Sequence, residues 1–124
     1  INCLMPMTLS NKILGASGER IALSYLEKQG YIITHCNWRS KHLEVDIIAK
    51  QNETLIFVEV KTRTTGLFGP PENSVNFKKE EKLKEAAKSY IEQNNYQVEI
   101  RFDIVSIIKN QSQQKIEHIK DAFW

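Results

Sequence analysis

Apolar positions along the chain follow two periodicities, one helical and one typical of strands. Ala16 to Gln29 carries apolar residues at helical spacing, and Gly30 after it favours the end of a helix. Lys78 to Asn94 has an apolar stripe and a charged outer face, which predicts a second amphipathic helix. The predicted strands, rich in β-branched and aromatic residues, are Tyr31 to Trp38, Leu43 to Lys50, Thr54 to Arg63, Val98 to Ile108 and Lys115 to Ile119.

The order of these elements is helix, three strands, helix and two strands. Short turns favour antiparallel neighbours, and the helix between the third and fourth strands permits a parallel pair joined by a right-handed crossover. We therefore expect an α/β fold with a mixed central sheet flanked by helices. The 124 residues fit a single domain over residues 11–124. Residues 1–10 lack the pattern of a signal peptide, and we expect a poorly ordered extension.

Composition and charge exclude some classes of protein. The chain is 41% hydrophobic and 26% charged, which is typical of a globular protein rather than a disordered one. It contains no apolar run approaching the roughly 20 residues of a membrane span. The net charge of +2 neither identifies nor excludes a nucleic-acid-binding protein. Cys3 and Cys36 are too few for a disulfide framework; a single bridge is the alternative, but we interpret them as reduced thiols of a cytoplasmic protein.

Two acidic residues interrupt strongly apolar strands. Asp46 lies in the second predicted strand and Glu59 in the third, where a carboxylate is unfavourable unless it is paired or binds a metal ion. A hairpin can bring them together, because neighbouring strands lie about 4.8 Å apart. Glu59 and Lys61 project from the same face of their strand. Asp46 followed by Glu59-Val60-Lys61 matches the PD-(D/E)xK arrangement, although an ion pair of Glu59 with Lys61 or Arg63 would also explain these charges.

Other polar residues are weaker candidates. Glu19 lies out of phase with the apolar face of the first helix and is a possible third carboxylate, or an acid favoured by the helix dipole. His35, Cys36 and His42 lack the usual spacing of zinc ligands. Asp103 follows Phe102 in an apolar strand, where we expect it either to pair with Arg101 or to cap the sheet edge.

Several short segments taken together resemble the YraN-like family of small bacterial proteins. They are Gly18-Glu19-Arg20, Asn37-Trp38-Arg39, Glu44 to Ala49, Phe57 to Arg63, Arg101-Phe102-Asp103 and His118 to Phe123. The resemblance extends from about Gly15 to Phe123. Leu43 departs from it, because the family usually has Gly before its Glu-hydrophobic-Asp triplet.

The YraN-like family is assigned to the restriction-endonuclease-like superfamily, so the resemblance implies an αβββαβ core and metal-dependent cleavage of phosphodiester bonds. On this hypothesis Asp46, Glu59 and Glu19 bind Mg²⁺, or Mn²⁺ in vitro, because hard oxygen ligands favour these ions. Lys61 would orient or deprotonate the attacking water. The residues expected to contact the phosphates of nucleic acid, most simply DNA, are Arg39, Arg63, Lys79 and Lys82. For the two lysines, a solvated helix face is the alternative.

Two other functions are compatible with the sequence: a nucleic-acid-binding protein on a nuclease fold without turnover, and a protein-interaction scaffold. A nuclease of this size that cuts both strands of a duplex would be expected to form a homodimer.

Overall fold

The computed structural model describes residues 10–64, 77–94, 98–109 and 113–123. Its elements are α1 (Ser10–Lys28), β1 (Ile32–Ser40), β2 (Leu43–Gln51), β3 (Thr54–Thr64), α2 (Phe77–Asn94), β4 (Glu99–Lys109) and β5 (Gln114–Ile119). The predicted αβββαβ order and α/β class are confirmed. The first helix begins at Ser10 rather than Ala16, because the apolar spacing continues upstream through Ile13 and Leu14. The predicted N-terminal extension up to residue 9 and the predicted loop over residues 65–76 lie outside the described residues.

The five strands form one mixed sheet in the order β1-β2-β3-β4-β5. Three neighbouring pairs are antiparallel, while β3 and β4 are parallel and are joined through α2. This is the pairing predicted from the lengths of the connections. Because α2 lies between two parallel strands in the chain, the end of β3 and the start of α2 can face each other across the sheet surface.

Each helix covers a different apolar cluster. Side chains of α2 pack with Leu43, Val45, Phe57 and Phe102, and the ring of Tyr90 lies at the centre of this α2-side cluster. Side chains of α1 pack in the α1-side cluster, whose sheet residues are Ile47, Ala49, Ile56, Val58, Val105 and Ile107. Apolar area removed from water stabilises both layers, at roughly 25 cal/mol per Å². The sheet is therefore buried between two helices, as the sequence pattern indicates.

A buried ionic network lies on the α1 side of β4. The carboxylate of Asp103 is fully buried and accepts two hydrogen bonds of 2.8 Å from the guanidinium of Arg101. His118 Nε2 lies 2.7 Å from Asp103 Oδ2, and the backbone N–H of Asp121 donates to Oδ1 at 3.0 Å. Burial alone would raise the pKa of Asp103, but these hydrogen bonds outweigh it and lower the pKa to about 2. The predicted pairing of Asp103 with Arg101 is confirmed.

Two tyrosines connect this network to the first helix and the first strand. The hydroxyl of Tyr25 lies 3.0 Å from His118 Nδ1, and Arg101 donates a 2.8 Å hydrogen bond to the hydroxyl of Tyr31. The network therefore joins α1, the entry to β1, β4 and β5. A buried charge with all its partners in place is expensive to disturb, so this network fixes how α1 packs on the sheet.

Two expectations concern the environment of the protein. Within the described ranges, no helix is both long enough and apolar enough to span a membrane. Cys36 in β1 is disulfide-bonded, so the interpretation of this residue as a reduced thiol is wrong. Cys3 lies outside the described residues.

Candidate active site

The pairing of the central strands is interrupted at Asp46. The β2–β3 ladder extends from Gln51–Thr54 to Ile47–Val58 and stops one residue before Asp46 would face Glu59. On the other side, the β1–β2 pairs pass directly from Cys36–Ile47 to Trp38–Val45. Val45 belongs to the α2-side cluster but Ile47 to the α1-side cluster, so the normal alternation of a strand is lost between them. Asp46 therefore occupies a local break in the sheet.

The Asp46 carboxylate replaces part of the missing ladder. Its Oδ2 accepts a 2.9 Å hydrogen bond from the backbone N–H of Val60. Burial, followed by repulsion from Glu59, raises the pKa of Asp46 to about 7. The hydrogen bond from Val60 opposes this rise, while the charges of Glu19 and Glu44 add to it. A carboxyl group whose pKa lies near neutral pH, beside a second carboxylate, is typical of a functional site.

Glu59 lies between two amines on the α2 side of the sheet. Its Oε2 is 3.3 Å from Lys79 Nζ and 3.6 Å from Lys61 Nζ. The Glu59 side chain is only 13% exposed, whereas that of Lys79 is 48% exposed. The ion pair between Glu59 and Lys61 expected from the sequence is therefore present, and α2 contributes a second cation that the sequence did not link to Glu59.

The pKa values of the two amines are shifted in opposite directions. Burial and then a hydrogen bond with Lys79 lower the pKa of Lys61. The same hydrogen bond is the main cause that raises the pKa of Lys79, with the charge of Glu59 adding to it. The hydrogen bond between the two amines therefore shifts their pKa values in opposite directions. Lys61 is thus the better candidate for a proton acceptor and Lys79 for a fixed positive charge.

Glu19 reaches the site through the close packing of α1 on β3. Gly18 is buried, and a Cβ at this position would collide with Oγ1 of Thr62, so the helix approaches the strand where no side chain intervenes. The pKa of Glu19 is raised by burial, and a hydrogen bond with Asn37 opposes the rise. The charges of Glu44 and Glu59 raise it further. The charge of Glu19 is therefore coupled to the site.

Asn37 is the site residue that the sequence reasoning did not single out. It has a left-handed backbone with a φ of 52° and lies in the interrupted part of the β1–β2 ladder, opposite Asp46. Asn tolerates this conformation better than most residues. Its side chain contacts Glu19, so one residue accounts for both the break in β1 and the support of a carboxylate. An Asn inside a strand pattern was the available signal.

The carboxylates fit a hard divalent cation as a pair rather than as a triad. Within residues 10–64, 77–94, 98–109 and 113–123, no three His, Cys, Asp or Glu side chains are grouped so that they could hold a metal ion. Mg²⁺ is often held by only one or two carboxylates together with substrate phosphates. Asp46 and Glu59 supply such a pair, and their mutual repulsion would be relieved by a cation. Glu19 is close enough to influence their charges but does not complete a three-ligand group.

The four residues predicted to bind phosphates differ in how close they lie to Asp46 and Glu59. Arg63 follows Lys61 at a spacing of two on β3 and therefore projects from the same face. Lys79 contacts Glu59 directly, and Lys82 is exposed one turn further along α2. Arg39 is 73% exposed and forms an ion pair of 2.7 Å with Glu44, beside the start of β2. These four residues keep their assignment as predicted contacts for nucleic acid.

Packing accounts for two other residues that the sequence analysis named, His35 and Leu43. His35 Nδ1 lies 3.0 Å from the hydroxyl of Tyr90, and the two rings contact edge to face. Leu43, the departure from the usual glycine, is buried in the α2-side cluster. It thus adds apolar surface beside the strand entry to Asp46.

Comparison with known proteins places these residues in a family. The model of the family described as "Uncharacterised protein family UPF0102" matches residues 18–107, which include every residue assigned to the site. A UPF0102 protein of Christiangramia forsetii is 49% identical over 111 residues, covering 90% of this chain and 93% of its own length. UPF0102 proteins of Bacteroides thetaiotaomicron and Alkaliphilus oremlandii are 43% and 40% identical, with coverage of 90% and 91% of this chain and 92% and 99% of their own lengths. The chain therefore belongs to the UPF0102, or YraN-like, family.

Proposed function

We propose that the protein is a metal-dependent nuclease that cleaves phosphodiester bonds in nucleic acid, most simply DNA. The observation that carries the proposal is the convergence of Asp46, Glu59 and Lys61 where the β2–β3 ladder ends. Asp46 has a pKa of about 7 because it is buried next to Glu59. Two carboxylates that repel each other in a packed sheet destabilise the fold unless a cation binds them. A cationic ligand therefore accounts for this pair best.

The chemistry of the residues is consistent with hydrolysis of a phosphodiester. Asp46 and Glu59 would hold Mg²⁺, or Mn²⁺ in vitro, and Glu19 would add negative charge nearby. The bound ion would supply positive charge that polarises the scissile phosphate. Lys61, with its lowered pKa, would accept a proton at Nζ from the attacking water. The predicted phosphate contacts are Arg39, Arg63, Lys79 and Lys82, and such contacts position a duplex without reading its sequence.

The test combines metal binding with cleavage. Mn²⁺ is titrated calorimetrically into wild type, Asp46→Asn and Lys61→Met, and each protein is then incubated with labelled single-stranded and duplex DNA. We expect Asp46→Asn to lose both Mn²⁺ binding and cleavage. Lys61→Met should keep Mn²⁺ binding and lose cleavage, because Lys61 is assigned to the attacking water and the carboxylates to the metal ion. Wild type that binds no Mn²⁺, or Lys61→Met that cuts at the wild-type rate, would contradict the proposal.

The same experiment separates the alternative functions. The ion pairs of Glu59 with Lys61 and Lys79 favour a second candidate, a nucleic-acid-binding protein without turnover, because they neutralise Glu59 without a metal ion. Salt-dependent DNA binding without cleavage in Mn²⁺ would select it. The absence of DNA affinity at low salt would instead select a protein-interaction scaffold.

The proposed nuclease also has an expected setting. The family members named above come from bacteria, whose DNA lies in the cytoplasm, and we place the protein there. Cutting both strands of a duplex with one such site per chain would require a homodimer, which sedimentation of the protein in the presence of duplex DNA would reveal.

A further inference from the structure

A lysine from α2 occupies the place of a cation beside the candidate metal ligand. Lys79 Nζ donates a hydrogen bond to Glu59 Oε2 across 3.3 Å. Lys61 approaches the same oxygen less closely, at 3.6 Å. The contact with Lys79 joins residues on separate elements, so it forms only when the start of α2 is docked against the end of β3. Glu59 is therefore neutralised from the helix side in the structure.

The two amines differ in their freedom to leave Glu59. The Lys61 side chain is 20% exposed and extends from the same face of β3 as Glu59, so its position is set by the strand. The Lys79 side chain is 48% exposed and lies in the first turn of α2. A long, half-exposed lysine can move its ammonium group into solvent without unfolding the helix. Lys79 is thus the cation that can be exchanged.

We propose that Lys79 is a positioning residue that neutralises Glu59 until a divalent cation binds, and that its ammonium group then turns to a phosphate of the nucleic acid. The inference rests on the proposed function, because it takes Asp46 and Glu59 as the metal ligands. It links two binding events: the divalent cation competes with Lys79 for Glu59, and Lys79 adds to nucleic-acid binding only after that exchange. Linkage of this kind is reciprocal, so nucleic acid also strengthens binding of the cation.

The first measurement is the affinity for Mn²⁺ alone. In Lys79→Met the cation no longer competes with an ammonium group, and partly exposed ion pairs of this type predict Mn²⁺ binding about two- to fivefold tighter than in wild type. Lys78→Met is the matched control, because it removes the same charge from the adjacent, exposed position. The smaller change in Mn²⁺ affinity expected for Lys78→Met measures the effect of removing one positive charge from this part of the surface. Equal Mn²⁺ affinities in the two variants would overturn the inference while leaving the metal site in place.

The second measurement is binding to a short duplex oligonucleotide in a Lys61→Met background, where cleavage is not expected. With Mn²⁺ present, adding Lys79→Met should reduce the slope of log affinity against log salt by about 0.9, the value for one lost phosphate contact in duplex DNA. Without Mn²⁺ the slope should be unchanged, because Glu59 still holds Lys79. The same loss in both conditions would overturn the exchange. Failure of wild type to bind Mn²⁺ would instead remove the proposed function and the inference together.

Discussion

Replacing Asp46 with Asn tests the electrostatics of the candidate site directly. Asn can still accept the hydrogen bond from the backbone N–H of Val60, but it carries no charge. The pKa of Asp46 is raised from an ordinary 3.8 to about 7 in the folded protein. At roughly 1.4 kcal/mol for each tenfold change in proton affinity, this amounts to about 4 kcal/mol. We therefore expect Asp46→Asn to be more stable than wild type above pH 7.

The sign of the pH dependence follows from proton binding. Between pH 4 and 7 the folded protein keeps a proton on Asp46 that the unfolded chain releases, so the free energy of unfolding falls as the pH rises. Below pH 4 the residue is protonated in both states, and wild type and Asp46→Asn should have similar stability. The stability difference should therefore grow from pH 4 to pH 7 and then remain constant. At pH 8 a difference of about 4 kcal/mol corresponds to a melting temperature about 15 °C higher in the variant.

Urea denaturation at pH 4, 6 and 8 in EDTA measures this difference. Glu53→Gln is the control, because it removes a carboxylate at an exposed turn position. Addition of Mn²⁺ at pH 8 should stabilise wild type by about 2.7 kcal/mol at 100 times the dissociation constant and leave Asp46→Asn unchanged. An Asp46→Asn protein less stable than wild type at pH 8 would refute the reasoning, since Asp46 would then be a favourable ion-pair partner.

Two further predictions concern the frame of the site. Gly18→Ala should lower the free energy of unfolding by about 1–3 kcal/mol, because the new Cβ collides with Thr62. Thr62→Ala in the same chain should restore most of this loss, and thermal melting without recovery would contradict the contact. Asp103→Asn should cost about 2 kcal/mol at pH 7, since Arg101 loses its carboxylate, and the difference should disappear as the pH falls from 4 through 2. Urea denaturation that gives an equal difference at pH 7 and pH 2 would show that charge is not the cause.

Local sequence patterns were sufficient to predict the helices, the strands and the way they are connected. β-Branched residues and turn lengths predicted the strands, and the helix between β3 and β4 predicted the parallel pair. The start of α1 was placed too late, at Ala16, although the apolar spacing continues upstream through Ile13 and Leu14. Gly18 in this helix is a contact point with Thr62, far away in sequence, and no local pattern contains that information. Gly is unfavourable inside a helix by about 1 kcal/mol, so its presence there needs such a tertiary reason.

The candidate site was only partly predictable for a related reason. Asp46 and Glu59 stand out as charges in apolar strands, and the resemblance to a nuclease family joined them to Lys61. The sequence around Asp46 nevertheless looks like ordinary alternation, whereas its neighbours face opposite sides of the sheet. The hydrogen bond of Asn37 with Glu19 depends on this break in the sheet, and the contact of Lys79 with Glu59 depends on how α2 docks on β3. Neither could be predicted from local sequence.

The balance of charge at the sheet break explains how such a site can fold without a metal ion. Three carboxylates, those of Glu19, Asp46 and Glu59, are coupled there, and two amines from Lys61 and Lys79 lie beside Glu59. With the pKa of Asp46 near 7, partial protonation of this carboxyl reduces the negative charge of the cluster in the absence of a cation. A purely structural ion-pair network would bring each pKa to the side that favours the charged form, as it does for Asp103. The pKa values of Asp46, Glu19 and Lys61 shift the other way, which supports the proposal that this cluster binds a charged ligand.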